Sequence, residues 1–305
     1  MLTAAHSDKT LCIALAISAA IWGLYWLPLR TIENAGLSGA WSVVFFNACP
    51  LVVLCPLLAF HFRKIADMLW PTLLAALMIG LAFTFYANAL VETTVARATL
   101  LYFLTPVWAT ILGVIWLSEP LTKARILSII VALTGLVLLL SNGGANNQPL
   151  NLGDLYGFLS GVFWAIGLAT LNRWGSIPIV PLTAFIFLAT TVLSAIFAYS
   201  FYGDPPPDPS QLKAALPTAV VWSIVVMLPT FFVIFMVSKI LFPGRVGLLT
   251  MSEVVVAIFS AAVLVPEETL LPIQWLGAVA IVAAGIIEVV FGYNKSTNDH
   301  HVPVR

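Results

Sequence analysis

Apolar residues run along this chain in long blocks rather than alternating with polar ones. Stretches of roughly 20 mostly apolar residues, the length a helix needs to cross a hydrocarbon core, recur ten times. They lie near 10–30, 40–60, 70–91, 97–117, 125–141, 152–172, 181–200, 216–241, 246–265 and 272–292. The breaks carry charges, Gly, Pro or Asn, as in Arg63-Lys64, Glu119-Pro120, Asn142-Gly143-Gly144, Pro205-Pro206-Pro207 and Phe242-Pro243-Gly244. No break is long enough to hold a soluble domain. A membrane barrel would show alternating segments of about 10 residues, which this chain lacks. The pattern predicts an all-α polytopic membrane protein of ten transmembrane helices.

Composition agrees. Of 305 residues, 61% are hydrophobic and only 9% charged, against about 25% charged in a soluble domain. That excludes a soluble enzyme and a disordered chain. Net charge is zero and no basic tract is present, so nucleic acid is not an expected partner. Placing the N-terminus in the cytoplasm puts ten of the 13 basic residues inside and leaves Arg30, Arg97 and Lys213 outside, which predicts both termini cytoplasmic. The first stretch is too long for a signal peptide, and Asp8 offsets Lys9 in front of it. Cys12, Cys49 and Cys55 lie in spans without a Cys-x-x-Cys motif, and His6, His61, His300 and His301 lie in tails and one loop. Neither set has metal-ligand spacing, so no metal and no cofactor are expected.

The chain also repeats itself. Residues 97–119 align without a gap on 245–267. Arg97 meets Arg245, Leu100-Leu101 meet Leu248-Leu249, Ala109 meets Ala257 and Glu119 meets Glu267. Ser18-x-x-x-Trp22 has a counterpart in Ser160-x-x-x-Trp164. These matches predict two halves of five spans, residues 1–145 and 150–293, followed by a cytoplasmic tail, 294–305. Five is odd, so the second half enters the membrane inverted. Inverted repeats around a central cavity are a transporter architecture.

The segment 84–140 carries Tyr86 to Ala89, Pro106-Val107, Glu119-Pro120-Leu121 and Gly135. It resembles the EamA-type repeat of the drug/metabolite transporter superfamily. Ser252-Glu253-Val254 through Glu267 to Gly285 resembles the second repeat. Within the superfamily, bacterial amino-acid exporters of the YddG type are the nearest likeness, with Thr105 in a place where they often carry Trp. The resemblance implies a secondary transporter of the bacterial cytoplasmic (inner) membrane that exports small metabolites, amino acids above all, by alternating access. It also implies a cavity lined by the first, third, fourth, sixth, eighth and ninth spans. The fifth and tenth spans would then pack together through Gly135, Gly277 and Gly285.

Glu253 is the leading site candidate. It lies about two helical turns inside the ninth span, where an ionised carboxylate is costly unless it meets water, a partner or protein. It either binds a substrate ammonium or carries a coupling proton, or it is a protonated carboxyl hydrogen-bonded between helices. Thr250 shares its helix face. Trp22 and Tyr25 in the first span, Tyr86 and Asn88 in the third, Tyr102 and Thr105 in the fourth, and Trp164 in the sixth offer rings with polar handles for a cavity wall. Packing is the alternative for each. Pro106 and Pro229 are hinge candidates, because prolines free backbone carbonyls inside a helix, or simple packing kinks. Glu119 is expected to sit near the positive end of the helix that follows it.

The expected partners are a small-molecule substrate, protons as a coupling ion, and the lipid bilayer, with no obligate protein partner. No G-x-x-x-x-G-K-[ST] motif is present, so nucleotide hydrolysis within this chain is not the drive. Efflux of cationic drugs or toxic compounds is a second reading. A non-transporting membrane protein is a third, but the spans hold no Ser-His or paired-Asp constellation for an enzyme.

Overall fold

The computed structural model describes residues 8–37, 39–93, 98, 101–140, 151–264 and 271–291. Outside these lie the tail 294–305, His6, His300 and His301, Asn142-Gly143-Gly144, Arg97, Glu267 and Glu268. The described residues form helices and connecting turns, with no strand. Among them, six helical spans are long and apolar enough to cross a membrane: Lys9–Asn34, Gly39–Phe60, Leu69–Ala89, Leu152–Arg173, Ile179–Phe201 and Pro209–Ser238. Thr105–Leu117 and Pro272–Ile287 are shorter apolar helices. The chain is therefore a multi-pass, all-helical membrane protein.

The first span is two helices, α1 (Asp8–Trp22) and α2 (Trp26–Asn34). Then come α3 (Gly39–Ala48), α4 (Leu51–Ile65), α5 (Leu69–Glu92), α6 (Thr105–Leu117) and α7 (Lys123–Leu140). The later elements are α8 (Leu152–Arg173), α9 (Ile179–Ile196), α10 (Pro209–Val220), α11 (Leu228–Ser238), α12 (Pro243–Thr250), α13 (Ser252–Leu264) and α14 (Pro272–Phe291). Seven residues of π-helix, Val221–Met227, join α10 to α11.

Local chemistry explains several boundaries. Asn151 and Asp154 form a reciprocal capping box at the start of α8, satisfying two backbone donors that the first turn leaves open. Thr93 Oγ1 donates to Asp154 at 3.2 Å, and Asn151 Nδ2 donates to the Glu92 carbonyl at 3.1 Å. These bonds tie the end of α5 to the start of α8. Asp208 and Gln211 build a second capping box, with Pro209 at the first helical position. That box starts the eighth span at Pro209 rather than near 216, so Lys213 and Pro217 lie inside it.

Packing sorts the helices into layers. α5 runs along α8, and α7 along α14. α9 covers α3, α4 and α5, while α1 packs on α11, α12 and α13. The α7–α14 seam is tight at Gly135. A Cβ there would lie 2.7 Å from the Gly277 carbonyl oxygen and 2.9 Å from the Ala280 Cβ. Gly285, expected at the same seam, instead faces open space, with nothing within 4 Å of an added Cβ.

Glu119 differs from its expected role as a partner of helix charge alone. Ser118 ends α6 with φ 55° and ψ 33°, a left-handed cap that turns the chain back, and the Glu119 N–H bonds the Gly113 carbonyl at 2.9 Å. The turn buries the carboxylate, which pairs with Arg125 in the first turn of α7. Gly244, at the start of α12, lies over the pair.

Candidate functional site

Two expected spans break at matching places. In the fourth, a turn at Phe103-Leu104 precedes α6; in the ninth, a turn at Met251 separates α12 from α13. In the alignment of 97–119 on 245–267, Phe103 falls on Met251 and Thr105 on Glu253. Pro106 stands at the start of α6, but Val254 has an ordinary N–H, which reaches the Met251 carbonyl at 3.1 Å. The first span breaks too, at Gly23-Leu24-Tyr25, just after Trp22. Side chains at these breaks can point inward from a backbone that is not a continuous cylinder.

Side chains flanking the breaks converge on one cavity. Ala19 and Trp22 come from α1, Phe83 from α5, and Tyr102 from the helical residues just before the Phe103-Leu104 turn. Trp164 comes from α8, Phe231 and Ile234 from α11, and Thr250 and Glu253 from α12 and α13. In the ten-span numbering expected from the sequence, these elements fall in the first, third, fourth, sixth, eighth and ninth stretches. Only about 10 Å³ is open to the centre of a water-sized sphere, roughly the room one water needs. Anything larger than a water would fit only if the walls moved apart.

Rings make up most of the wall. Trp22 stacks on Tyr25 at 4.3 Å between centroids and on Phe83 at 5.4 Å, and meets Phe231 at 4.6 Å. Phe83 also stacks on Trp164 at 5.5 Å. All four separations lie near the 4.5–7 Å range that ring quadrupoles favour. Glu253 is 6% exposed, and the Trp22 indole lies against its carboxylate. The backbone around Glu253 is fixed by Ser252, whose hydroxyl donates to the Ala16 carbonyl of α1 at 2.8 Å. Among the described lining residues Glu253 is the single charged side chain, and none is Lys, Arg or His.

Other candidates stand outside the wall. Tyr25 lies behind Trp22, beside the Asn47 side chain. Tyr86 tilts against Tyr102 at 4.7 Å and so backs the wall. Asn88 donates to the Thr84 carbonyl at 2.7 Å while its Oδ1 is buried without a partner, and Thr105 donates to the Tyr102 carbonyl at 2.6 Å and reaches the Gly161 carbonyl of α8 at 3.4 Å. Pro229 stands in the first turn of α11 directly after the π-helical stretch, where Thr230 donates to the Met227 carbonyl at 2.6 Å. Ala19, Phe83, Phe231 and Ile234 are lining residues that sequence reasoning missed. Their only signal is apolarity, which lipid-facing residues share. Among the described residues no group of three or more His, Cys, Asp or Glu side chains gathers where a metal could sit.

Residues 9–141 match the EamA-like transporter family. No curated protein matches the chain. One solved crystal structure superposes with a TM-score of 0.72 at 18% identity, covering 94% of this chain and 98% of that one. At that identity the likeness shows a shared fold.

Proposed function

We propose that this chain, which belongs over residues 9–141 to the EamA-like transporter family, is a secondary transporter exporting small amine-bearing metabolites, amino acids among them. EamA-family membrane proteins are generally transporters of small metabolites or drugs. The observation that carries the finer reading is Glu253: a buried carboxylate on a helix break, enclosed by rings, and reached from both halves of the chain. An ammonium can replace the water that a carboxylate loses on burial, and the rings can hold an apolar body. Ten spans in two inverted five-helix halves, with both termini in the cytoplasm of a bacterial inner membrane, complete the proposal. The matched breaks at 103–104 and 251 support the inverted halves.

In this account the two halves rock about the cavity and expose it to one side and then the other. Glu253 exchanges its cargo ammonium for a proton during the return. The drive is a proton gradient or the cargo's own gradient. Efflux of cationic compounds is the second reading, favoured by the lack of a basic residue in the described wall. The test is flux of labelled amines and amino acids into liposomes holding the purified protein, with and without a pH gradient. The proposal expects saturable flux above protein-free liposomes for at least one amine-bearing compound. Flux no greater than in protein-free liposomes across the panel would refute it.

A further inference from the structure

The cavity wall is unequally supplied with hydrogen-bonding groups. Its charge is the Glu253 carboxylate, against which the Trp22 indole lies. Thr250 spends its donor on the Gly247 carbonyl at 3.0 Å. Trp164 is different. It is 4% exposed, it lines the same cavity, and its indole N–H has no hydrogen-bond partner. An indole N–H can only donate, and a buried donor left unmade is costly, so the group it suits is an acceptor. The wall therefore combines one carboxylate for a cation with two polar handles, the unpartnered Trp164 N–H and the Tyr102 hydroxyl, and Phe83, Phe231 and Ile234 for an apolar body.

We infer that the preferred cargo is a monocation carrying a neutral hydrogen-bond acceptor beside its ammonium, an amino alcohol or amino amide, ahead of a free zwitterionic amino acid. The inference rests on the cavity being the cargo site. When an α-amino acid sets its ammonium on Glu253, its own carboxylate is held about 6 Å from the Glu253 carboxylate. At an effective dielectric near 20, that repulsion amounts to roughly a hundredfold in affinity. No described wall residue is basic, so no positive charge in the described wall offsets it. A neutral hydroxyl or amide oxygen accepts from Trp164 without the repulsion.

The experiment is equilibrium binding of tritiated phenylalaninol to the full-length protein in detergent at pH 7, competed by phenethylamine, phenylalanine and 3-phenylpropanol. These share one ring and differ in charge and acceptor. The expected order is phenylalaninol, then phenethylamine about tenfold weaker, then phenylalanine weaker again, with 3-phenylpropanol last. Phenylalanine competing as well as phenylalaninol would overturn the inference while leaving the transporter reading intact. Absence of binding by every amine, or undiminished binding to Glu253→Gln, would remove the cargo site itself. Trp164→Phe keeps the ring and deletes the donor, and it should bring phenylalaninol and phenethylamine to parity. A preference that survives in Trp164→Phe would overturn the role of Trp164. The wild-type order stands as a test whether or not the variant folds.

Discussion

Arg125→Met removes the guanidinium from a pair whose side chains are 2% (Arg125) and 1% (Glu119) exposed. The Glu119 carboxylate would remain, held in place by the left-handed Ser118 turn and roofed by Gly244. A Cβ at Gly244 would already lie 2.6 Å from Thr110 Oγ1 and 3.3 Å from Glu119 Oε1, so little space exists for water to enter. Removing one partner of a buried pair costs about 3–5 kcal/mol, because the remaining charge loses an interaction that offsets its burial. Replacing both partners by apolar groups is often neutral or stabilising. Glu119→Leu combined with Arg125→Met should therefore recover to within about 1 kcal/mol of wild type. Equilibrium unfolding in mixed detergent micelles measures all four corners of the cycle. A loss below about 1 kcal/mol for Arg125→Met, the scale of an exposed pair, would refute this reasoning. So would a double variant no better than the single one.

Gly161→Ala should cost about 1–3 kcal/mol, because its Cβ would lie 2.6 Å from the Tyr102 carbonyl oxygen, a backbone atom unable to swing aside; the same unfolding assay reads it. Gly135→Ala should destabilise the α7–α14 seam while Gly285→Ala stays within about 0.5 kcal/mol of wild type, and equal effects would mean that the seam is misplaced. Trp22→Ala removes the ring on Tyr25, Phe83 and Phe231 and beside Glu253; we expect an apparent KM raised about tenfold or more at intact expression, read by initial-rate uptake.

Lipid requires long apolar runs, and that made the membrane helices legible in the sequence. The breaks inside them were not legible, because the turn residues Leu24, Phe103 and Met251 are as apolar as their neighbours. Glu253, Trp22, Tyr102, Trp164 and Thr250 could be singled out because a polar handle in mid-span needs a reason. Phe83, Phe231 and Ile234 could not, since an apolar side chain facing a cavity reads like one facing lipid. Asn88 and Thr105 stand outside the described wall, and each donates to a carbonyl of the preceding turn, as short polar side chains in helices often do. The Glu119–Arg125 pair escaped notice because its closure depends on one left-handed residue, Ser118, which no residue type announced.

The central claim is that the Glu253 cavity carries the transported amine. Initial-rate uptake by Glu253→Gln against wild type, in liposomes loaded with equal amounts of monodisperse protein, tests it most directly. Gln keeps the shape and a hydrogen-bonding group but removes the charge. The account predicts that uptake of amine-bearing compounds falls to the level of protein-free liposomes while the protein remains folded. Uptake at the wild-type rate would contradict it and return Glu253 to helix packing.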